Sequence, residues 1–330
     1  MATLGILVLG FLVARPASTA PILGADGQPL PGSIAELTTT RINGQEQALM
    51  IRGVSTDNPV LLHLAGGPGG TDIGAMRLDT GLVQHFVVAT WDQPGTGKSY
   101  PAFDPDTLTL DQVVDDAVEV TNYLRERFGQ DRVYLAGQSW GTIPATLAAQ
   151  RHPELFHALI GTGYMVSIRE TDRIFYDDTL AWAEQSGDEA LAAKLHALGP
   201  PPYDNPIGDY PVIVGSERDL NPYPGFDGRT EMTSTIWVPE NSLVDQINAL
   251  RGLSDTYAWL YPQLQTFDFR DDVQSLDVPV YIVMGRHEAP GRVEPARQWF
   301  ENLQAPTKRW VTFDASSHRA NFDGRPSTPR

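Results

Sequence analysis

Residues 137–141, with the sequence GQSWG, carry the residue types that position a serine for nucleophilic attack. The residues just before them, 132–136 (RVYLA), form a short apolar-rich run, and residues 142–151 contain helix formers. A serine in a sharp turn between a strand and a helix presents its hydroxyl at the sheet edge, and the turn requires small residues two positions to either side. The pattern predicts a nucleophile elbow at Ser139. Taken alone, the pentapeptide is equally compatible with a plain strand-to-helix turn.

A serine hydroxyl needs a neighbouring base, and the base needs an acid that fixes its tautomer. In parallel sheets with such an elbow, the chain order is serine, acid, histidine. Glu288 follows a predicted strand at residues 278–284, and His318 follows the next one at residues 308–313. Because the carboxyl ends of parallel strands meet at one edge of the sheet, we expect Ser139, Glu288 and His318 to form a catalytic triad.

Other residues compete for the two supporting roles. His287 also lies at the correct edge, but it precedes the acid instead of following it by a helix and a strand. The alternative acids are Asp314, which is close in sequence to His318, and Glu170 or Asp172, which follow an earlier predicted strand.

A glycine-rich loop, residues 65–70 (AGGPGG), follows the apolar run at residues 60–65. Glycines let backbone amides converge on a small volume, as an oxyanion hole requires. The second amide of such a site normally comes from the residue after the nucleophile, here Trp140. We therefore expect Gly66 or Gly67 and Trp140 to bind an oxyanion, with a merely flexible loop as the alternative.

The segment at residues 91–99 (WDQPGTGKS) ends like a phosphate-binding loop. That motif requires a glycine where Asp92 stands, and Pro94 lacks the amide hydrogen that a phosphate cradle would use. The segment therefore predicts a structural turn and not a nucleotide site. No dinucleotide fingerprint or metal-ligand cluster is evident in the sequence, and we expect neither a cofactor nor a metal.

The elements around these motifs predict an α/β fold with a mostly parallel sheet and helices on both faces. Residues 34–41 and 45–52 form a predicted hairpin around Asn43-Gly44. Strand candidates and helix candidates then alternate. The strands are predicted at residues 60–65, 86–91, 132–136, 157–166, 278–284 and 308–313, and the helices at residues 111–128, 142–151 and 294–303.

Residues 167–265 interrupt this alternation with helical patterns, such as residues 179–197, and proline-rich loops. Many aromatic residues collect there, where they either pack the segment onto the sheet or line a pocket. We therefore divide the chain into a core at residues 21–166 and 266–330 and an inserted helical cap at residues 167–265.

Composition limits the partners. A formal net charge of −17 disfavours nucleic acid and anionic membranes, and the absence of cysteine excludes disulfides and thiolate chemistry. The apolar run at residues 4–14, within a segment spanning residues 1–20, is too short to cross a bilayer but suits a signal peptide or a membrane tether. Export or tethering and an ordinary apolar segment both stay open, so the compartment is uncertain, as is the oligomeric state.

With these motifs in hand, the chain resembles the α/β-hydrolase superfamily and, within it, the proline iminopeptidase-like serine hydrolases. The resemblance lies in the loop at residues 66–69, the segment at residues 91–99 and the elbow with its tryptophan. It implies a fold with a cap, a covalent acyl-enzyme and a short-peptide or other small-molecule substrate. The chain departs from the family's pattern at Ala65, where the family usually has histidine, at Pro94, where it has arginine, and at Glu288, where aspartate is more common.

The substrate class is less well defined by this resemblance. In the iminopeptidases, glutamates in the cap receive the free amino terminus of the substrate. Their motifs are not found at residues 167–265, although Glu184, Glu217 and Glu231 occur there. The expected activity is aminopeptidase, with carboxylic ester or lactone hydrolysis as the alternative. A noncatalytic ligand-binding protein on the same fold is a third hypothesis.

Overall fold

The computed structural model describes residues 16–223 and 234–323. Its centre is one sheet with the strand order β1-β2-β4-β3-β5-β6-β7-β8. Only β2 runs against its neighbours, so the predicted mostly parallel sheet is confirmed. The strands are β1 (Ile34–Ile42), β2 (Gln45–Gly53), β3 (Val60–Leu64), β4 (Val87–Trp91), β5 (Val133–Gln138), β6 (Phe156–Thr162), β7 (Val280–Gly285) and β8 (Lys308–Phe313).

The hairpin and the central strands follow from local sequence. Asn43 and Gly44 both adopt positive φ, which a tight two-residue hairpin turn requires, and they join β1 to β2 as the sequence predicts. Every residue of β3 and β4 is buried, because both faces of the central sheet are covered. The continuous apolar runs in the sequence correspond to these two strands.

The helices in the described residues are α1 (Ile73–Met76), α2 (Leu110–Phe128), α3 (Thr142–Arg151), α4 (Ile168–Ser186), α5 (Glu189–Leu198), α6 (Pro206–Val214), α7 (Glu217–Leu220), α8 (Leu243–Leu264), α9 (Phe269–Asp272), α10 (Pro290–Asn302) and α11 (Ala320–Asp323). Helix α2 shows how such a helix is delimited. The Thr109 side chain accepts a hydrogen bond from the Gln112 amide at its start, and Gly129 takes a left-handed conformation at its end.

Between β6 and β7 the described chain is helical, as the sequence predicts, but two boundaries differ. The predicted strand at residues 157–166 ends at Thr162. The helical pattern at residues 179–197 is broken at Gly187, whose φ of 78° ends α4, and at Asp188, whose side chain accepts from the Leu191 amide and begins α5. The cap limits of 167 and 265 stay predictions.

The apolar run at residues 4–14 and Glu231 lie outside the described residues. In the part of the chain that the structure describes, no helix is long and apolar enough to cross a membrane.

Candidate active site

Ser139 lies directly after β5, at the start of the short turn that leads into α3. Its φ of 51° is uncommon for a residue with a side chain, and such strain is typical of a serine held in an elbow. A Cβ atom at Gly137 would lie 2.5 Å from the carbonyl oxygen of Gly141, and one at Gly141 would meet the backbone of Leu64. Both positions therefore require glycine, as the sequence pattern predicts.

The structure brings the three predicted triad side chains together. His318 Nε2 lies 2.9 Å from Ser139 Oγ, and His318 Nδ1 lies 2.7 Å from Glu288 Oε2. Glu288 follows β7 and His318 follows β8, so two neighbouring strands present the acid and the base to the serine at the end of β5. This arrangement can move a proton from the serine hydroxyl to an imidazole that a carboxylate orients.

Glu288 is ionised at neutral pH. Burial alone would raise the pKa of this carboxyl group, but the charges of His318 and Arg292 and their hydrogen bonds lower its pKa to about 2. Its second oxygen, Oε1, accepts from Arg292 Nη1 at 2.8 Å and from the Ala289 amide at 2.9 Å. Both carboxylate oxygens therefore have hydrogen-bond donors despite complete burial of the side chain.

The alternative acids have other partners. Asp314 is exposed and forms an ion pair with Arg286, and Glu170 pairs with Arg270. Within residues 16–223 and 234–323, no group of histidine and acidic side chains is arranged to hold a metal ion.

The two glycines of the predicted oxyanion loop differ in their surroundings. Gly67 lines the pocket together with Ser139 and Trp140. The Gly66 amide instead faces the carboxylate of Asp72: burial raises the pKa of that group, but Arg319, His63 and this amide lower it overall. Gly67 and Trp140 thus both line the pocket that contains Ser139, whereas the Gly66 amide is engaged by Asp72.

The segment at residues 91–99 forms hydrogen bonds to the glycine-rich loop and to the elbow. Gln93 accepts from Trp140 Nε1 at 2.8 Å and donates to the Ala65 carbonyl at 3.1 Å. Asp92 accepts from Thr71 Oγ1 at 2.5 Å and from the Lys98 amide at 2.9 Å. The segment is thus a structural turn that supports the elbow and the glycine loop.

A buried carboxylate lines the pocket that contains Ser139, and one of its oxygens has no partner in the described part of the chain. Asp172 lines this pocket with Tyr210, Tyr257 and Tyr261. Tyr261 donates to Asp172 Oδ2 at 2.8 Å, whereas Oδ1 has no hydrogen-bond partner among the described residues. Burial raises the pKa of Asp172 to about 7, although the hydrogen bonds from Tyr261 and Gln265 lower the pKa in part.

The sequence gives Asp172 only as an alternative triad acid. In the structure it lies on α4 and accepts hydrogen bonds from Tyr261 and Gln265, whereas His318 contacts Glu288. A sequence pattern does point to its actual position. The buried residues of α4 recur at helical spacing, and Asp172 lies among them; they are Ile168, Thr171, Asp172, Phe175, Tyr176, Thr179 and Ala183. An acidic residue on an otherwise buried helix face predicts either a buried partner or a ligand.

Comparison with known proteins supports the same fold. A protein-family model described as "alpha/beta hydrolase fold" matches residues 59–324. The chain is 30% identical over 304 residues to the probable aminopeptidase YbaC of Bacillus subtilis (strain 168), covering 89% of this chain and 94% of that protein. It is 33% identical over 283 residues to a probable proline iminopeptidase of Leptolyngbya boryana, covering 78% and 80% of the two chains.

Among solved structures, the proline iminopeptidase-related protein of Thermus thermophilus matches with a TM-score of 0.58 at 19% identity, covering 88% of this chain and 93% of that one. The predicted α/β-hydrolase fold and the resemblance to proline iminopeptidase-like hydrolases are confirmed by these matches.

Proposed function

Because the chain belongs to the α/β-hydrolase family, we propose that it is a serine aminopeptidase that releases the N-terminal residue of short peptides through a covalent acyl-enzyme. The names of its relatives, which include a probable aminopeptidase and a probable proline iminopeptidase, support this class of substrate. The observation that carries the proposal is the Asp172 carboxylate in the same pocket as Ser139.

In the proposed reaction, His318 Nε2 takes the proton from Ser139 Oγ as that oxygen attacks the carbonyl carbon of the first peptide bond. Glu288 accepts a hydrogen bond from Nδ1–H and stabilises the imidazolium. The amides of Gly67 and Trp140 bind the oxyanion. His318 then protonates the departing amine, which leaves an ester between Ser139 and the first residue. Water, deprotonated by His318, hydrolyses that ester and restores the serine.

Asp172 is suited to bind the free amino group of the substrate. An ammonium group at Oδ1 would satisfy the oxygen that lacks a partner and would favour ionisation of a carboxyl group whose pKa is raised to about 7. The neighbouring rings of Tyr210, Tyr257 and Tyr261 lie within 6.4 Å of one another, centre to centre, and aromatic faces attract cations. Arg292, which also lines the pocket, is already paired with Glu217 and Glu288. The described part of the pocket thus favours a cationic group over an anionic one.

The experiment compares proline arylamide, its N-acetylated form and a short acyl ester as substrates. We expect Asp172→Asn to lower kcat/KM for the free amine about 100-fold or more and to change ester hydrolysis by less than about threefold, because only the first substrate uses the carboxylate. Asp177→Asn, on an exposed part of the same helix, is the matched control. An amine-binding role would be contradicted if Asp172→Asn lowered kcat/KM equally for the amine and the ester. It would also be contradicted if the wild-type protein cleaved the acetylated arylamide as fast as the free amine. Either result would favour the ester or lactone hydrolase.

The nucleophile is tested separately. A fluorophosphonate probe should label the protein at Ser139, and Ser139→Ala should abolish labelling and lower peptide hydrolysis by about 10⁴-fold or more. Unchanged labelling of that variant would refute the triad. Binding of the amine substrate without any product, after prolonged incubation, would instead support the noncatalytic alternative.

A further inference from the structure

Arg292 holds the carboxylate that orients His318. It lies in the first turn of α10, four residues after Glu288, and its Nη1 donates to Glu288 Oε1 at 2.8 Å. Together with the Ala289 amide, it fixes Oε1 and leaves Oε2 for His318. The side chain of Arg292 is only 7% exposed, so this hydrogen bond is formed away from solvent.

The same guanidinium group is bound by the helical segment between β6 and β7. Glu217, the first residue of α7, accepts from Arg292 at both oxygens, with Nη1–Oε1 at 2.6 Å and Nη2–Oε2 at 3.1 Å. The guanidinium carbon also lies 4.6 Å from the centre of the Phe175 ring on α4. Arg292 therefore contacts α4 and α7 of this segment as well as the loop after β7.

The charge of Arg292 connects the helical segment between β6 and β7 to the triad. A buried arginine needs compensation, and here two carboxylates provide it, both of which accept from Nη1. The other titratable groups near this cluster are His318, beyond Glu288, and Asp172 and Tyr210 in the pocket. If Glu217 is removed, Arg292 has Glu288 as its one remaining ion-pair partner among the described residues. If Arg292 is removed, Glu288 and Glu217 lose the cation between them.

We propose that Arg292 is a positioning residue that couples the docking of α7, through Glu217, to the orientation and charge of Glu288. The triad then has its full activity only when Glu217 is bound to Arg292. This inference rests on the proposed triad of Ser139, His318 and Glu288, and it adds a dependence of that triad on a side chain outside the core strands and their loops.

The test compares Glu217→Gln, Arg292→Met and Arg292→Lys with the wild-type protein. The readouts are the pH dependence of kcat/KM and the rate of labelling by the fluorophosphonate, which does not use the amine site. Glu170→Gln is the matched control, because Glu170 lies on α4 and pairs with Arg270 without contacting Glu288. Circular dichroism verifies that each variant is folded.

The two charge-removing variants should shift the acid limb of the pH profile in opposite directions. Loss of the cation in Arg292→Met strengthens the negative field at His318, so the limb moves to higher pH by about 0.5 units or more. Loss of the anion in Glu217→Gln moves it to lower pH. Arg292→Lys keeps the positive charge, so its acid limb should lie at the same pH as that of the wild-type protein. Its labelling rate should lie between those of Arg292→Met and wild type, because lysine cannot bridge both carboxylates in the same geometry.

We expect Glu217→Gln to slow labelling about three- to thirtyfold, and the effect should vanish in an Arg292→Met background because Glu217 acts through Arg292. Shifts in the same direction, additive losses in the double variant, or effects no larger than those of Glu170→Gln would overturn the inference. If Arg292→Met does not fold, the results for Glu217→Gln and Arg292→Lys still test the inference. An error in the triad assignment is detected separately, because Ser139→Ala would then still be labelled by the fluorophosphonate.

Discussion

Three acidic side chains near the pocket have different electrostatic surroundings. Glu288 is paired with His318 and Arg292, and its pKa is about 2. Glu217 shares Arg292 with it. Asp172 receives hydrogen bonds from uncharged groups only, and burial raises its pKa to about 7. The differences follow from the partners of each carboxylate, and they suit Glu288 to a permanent charge and Asp172 to a charge that a ligand completes.

Asp172 should make the stability of the protein depend on pH. Its pKa is higher in the folded chain than the ordinary value of 3.8, so the folded state binds the proton more tightly. The stability from this group is full below about pH 4 and is lost as the pH rises through about 7. Asp172→Asn removes this loss. The melting temperature of the variant relative to wild type should therefore increase by a few degrees between pH 5 and pH 8.

Thermal melts monitored by circular dichroism at the two pH values measure this difference, with Asp177→Asn as the exposed control on the same helix. A melting-temperature difference that is the same at pH 5 and pH 8 would show that Asp172 does not titrate in this range.

The sequence predicts where residues lie when their position depends on strand order, but it does not predict the surroundings of residues whose position depends on helix packing. Ser139, Glu288 and His318 each follow a strand of a parallel sheet, and such strands end at one edge whatever the loops do. Asp172 and Arg292 lie on helices, and a helical residue faces the pocket only through the rotation and docking of its helix. Gly66 shows the same limit within a loop, because its glycine-rich sequence does not reveal which amide faces Asp72.

At the level of elements, α8 packs closely on the glycine-rich loop at residues 65–70. Gly252 in this helix lies against the backbone of two loops: a Cβ atom there would be 2.6 Å from the Gly95 carbonyl oxygen and 2.7 Å from that of Gly69. Lys98 Nζ and Asp245 Oδ2, 2.5 Å apart, form an ion pair between the same helix and the segment at residues 91–99. The helix and the loops that support Trp140 and Gly67 are therefore fitted to each other.

Gly252→Ala should consequently push α8 away from these loops. Because carbonyl oxygens of the backbone cannot move aside as a flexible side chain can, we expect a loss of stability of about 1–3 kcal/mol and a fall in kcat of about tenfold. Ser254→Ala, two residues along the same helix, is the control. Urea unfolding and steady-state kinetics measure the two effects. Wild-type kinetics in a destabilised variant would show that the loops keep their geometry without this contact.

At the level of the whole molecule, the sheet assembles the site from distant parts of the sequence, and a formal net charge of −17 gives the chain an overall negative field. Such a field attracts a substrate that carries an ammonium group. Added salt screens the field and weakens the attraction, since the screening length is about 10 Å at 0.1 M salt. We therefore expect kcat/KM for proline arylamide to fall about two- to fivefold between about 20 mM and 300 mM sodium chloride. An uncharged ester should show little change.

The same titration in Asp172→Asn separates the field of the whole protein from the local carboxylate. If the field acts over a distance, the variant keeps most of the salt dependence although its kcat/KM is much lower, because it removes one of 41 acidic residues. A salt dependence that disappears with Asp172 would assign the effect to the pocket alone. Equal salt dependence for the amine and the ester would contradict electrostatic attraction of the substrate altogether, and it would weaken the case for a cationic group as the feature that the protein selects.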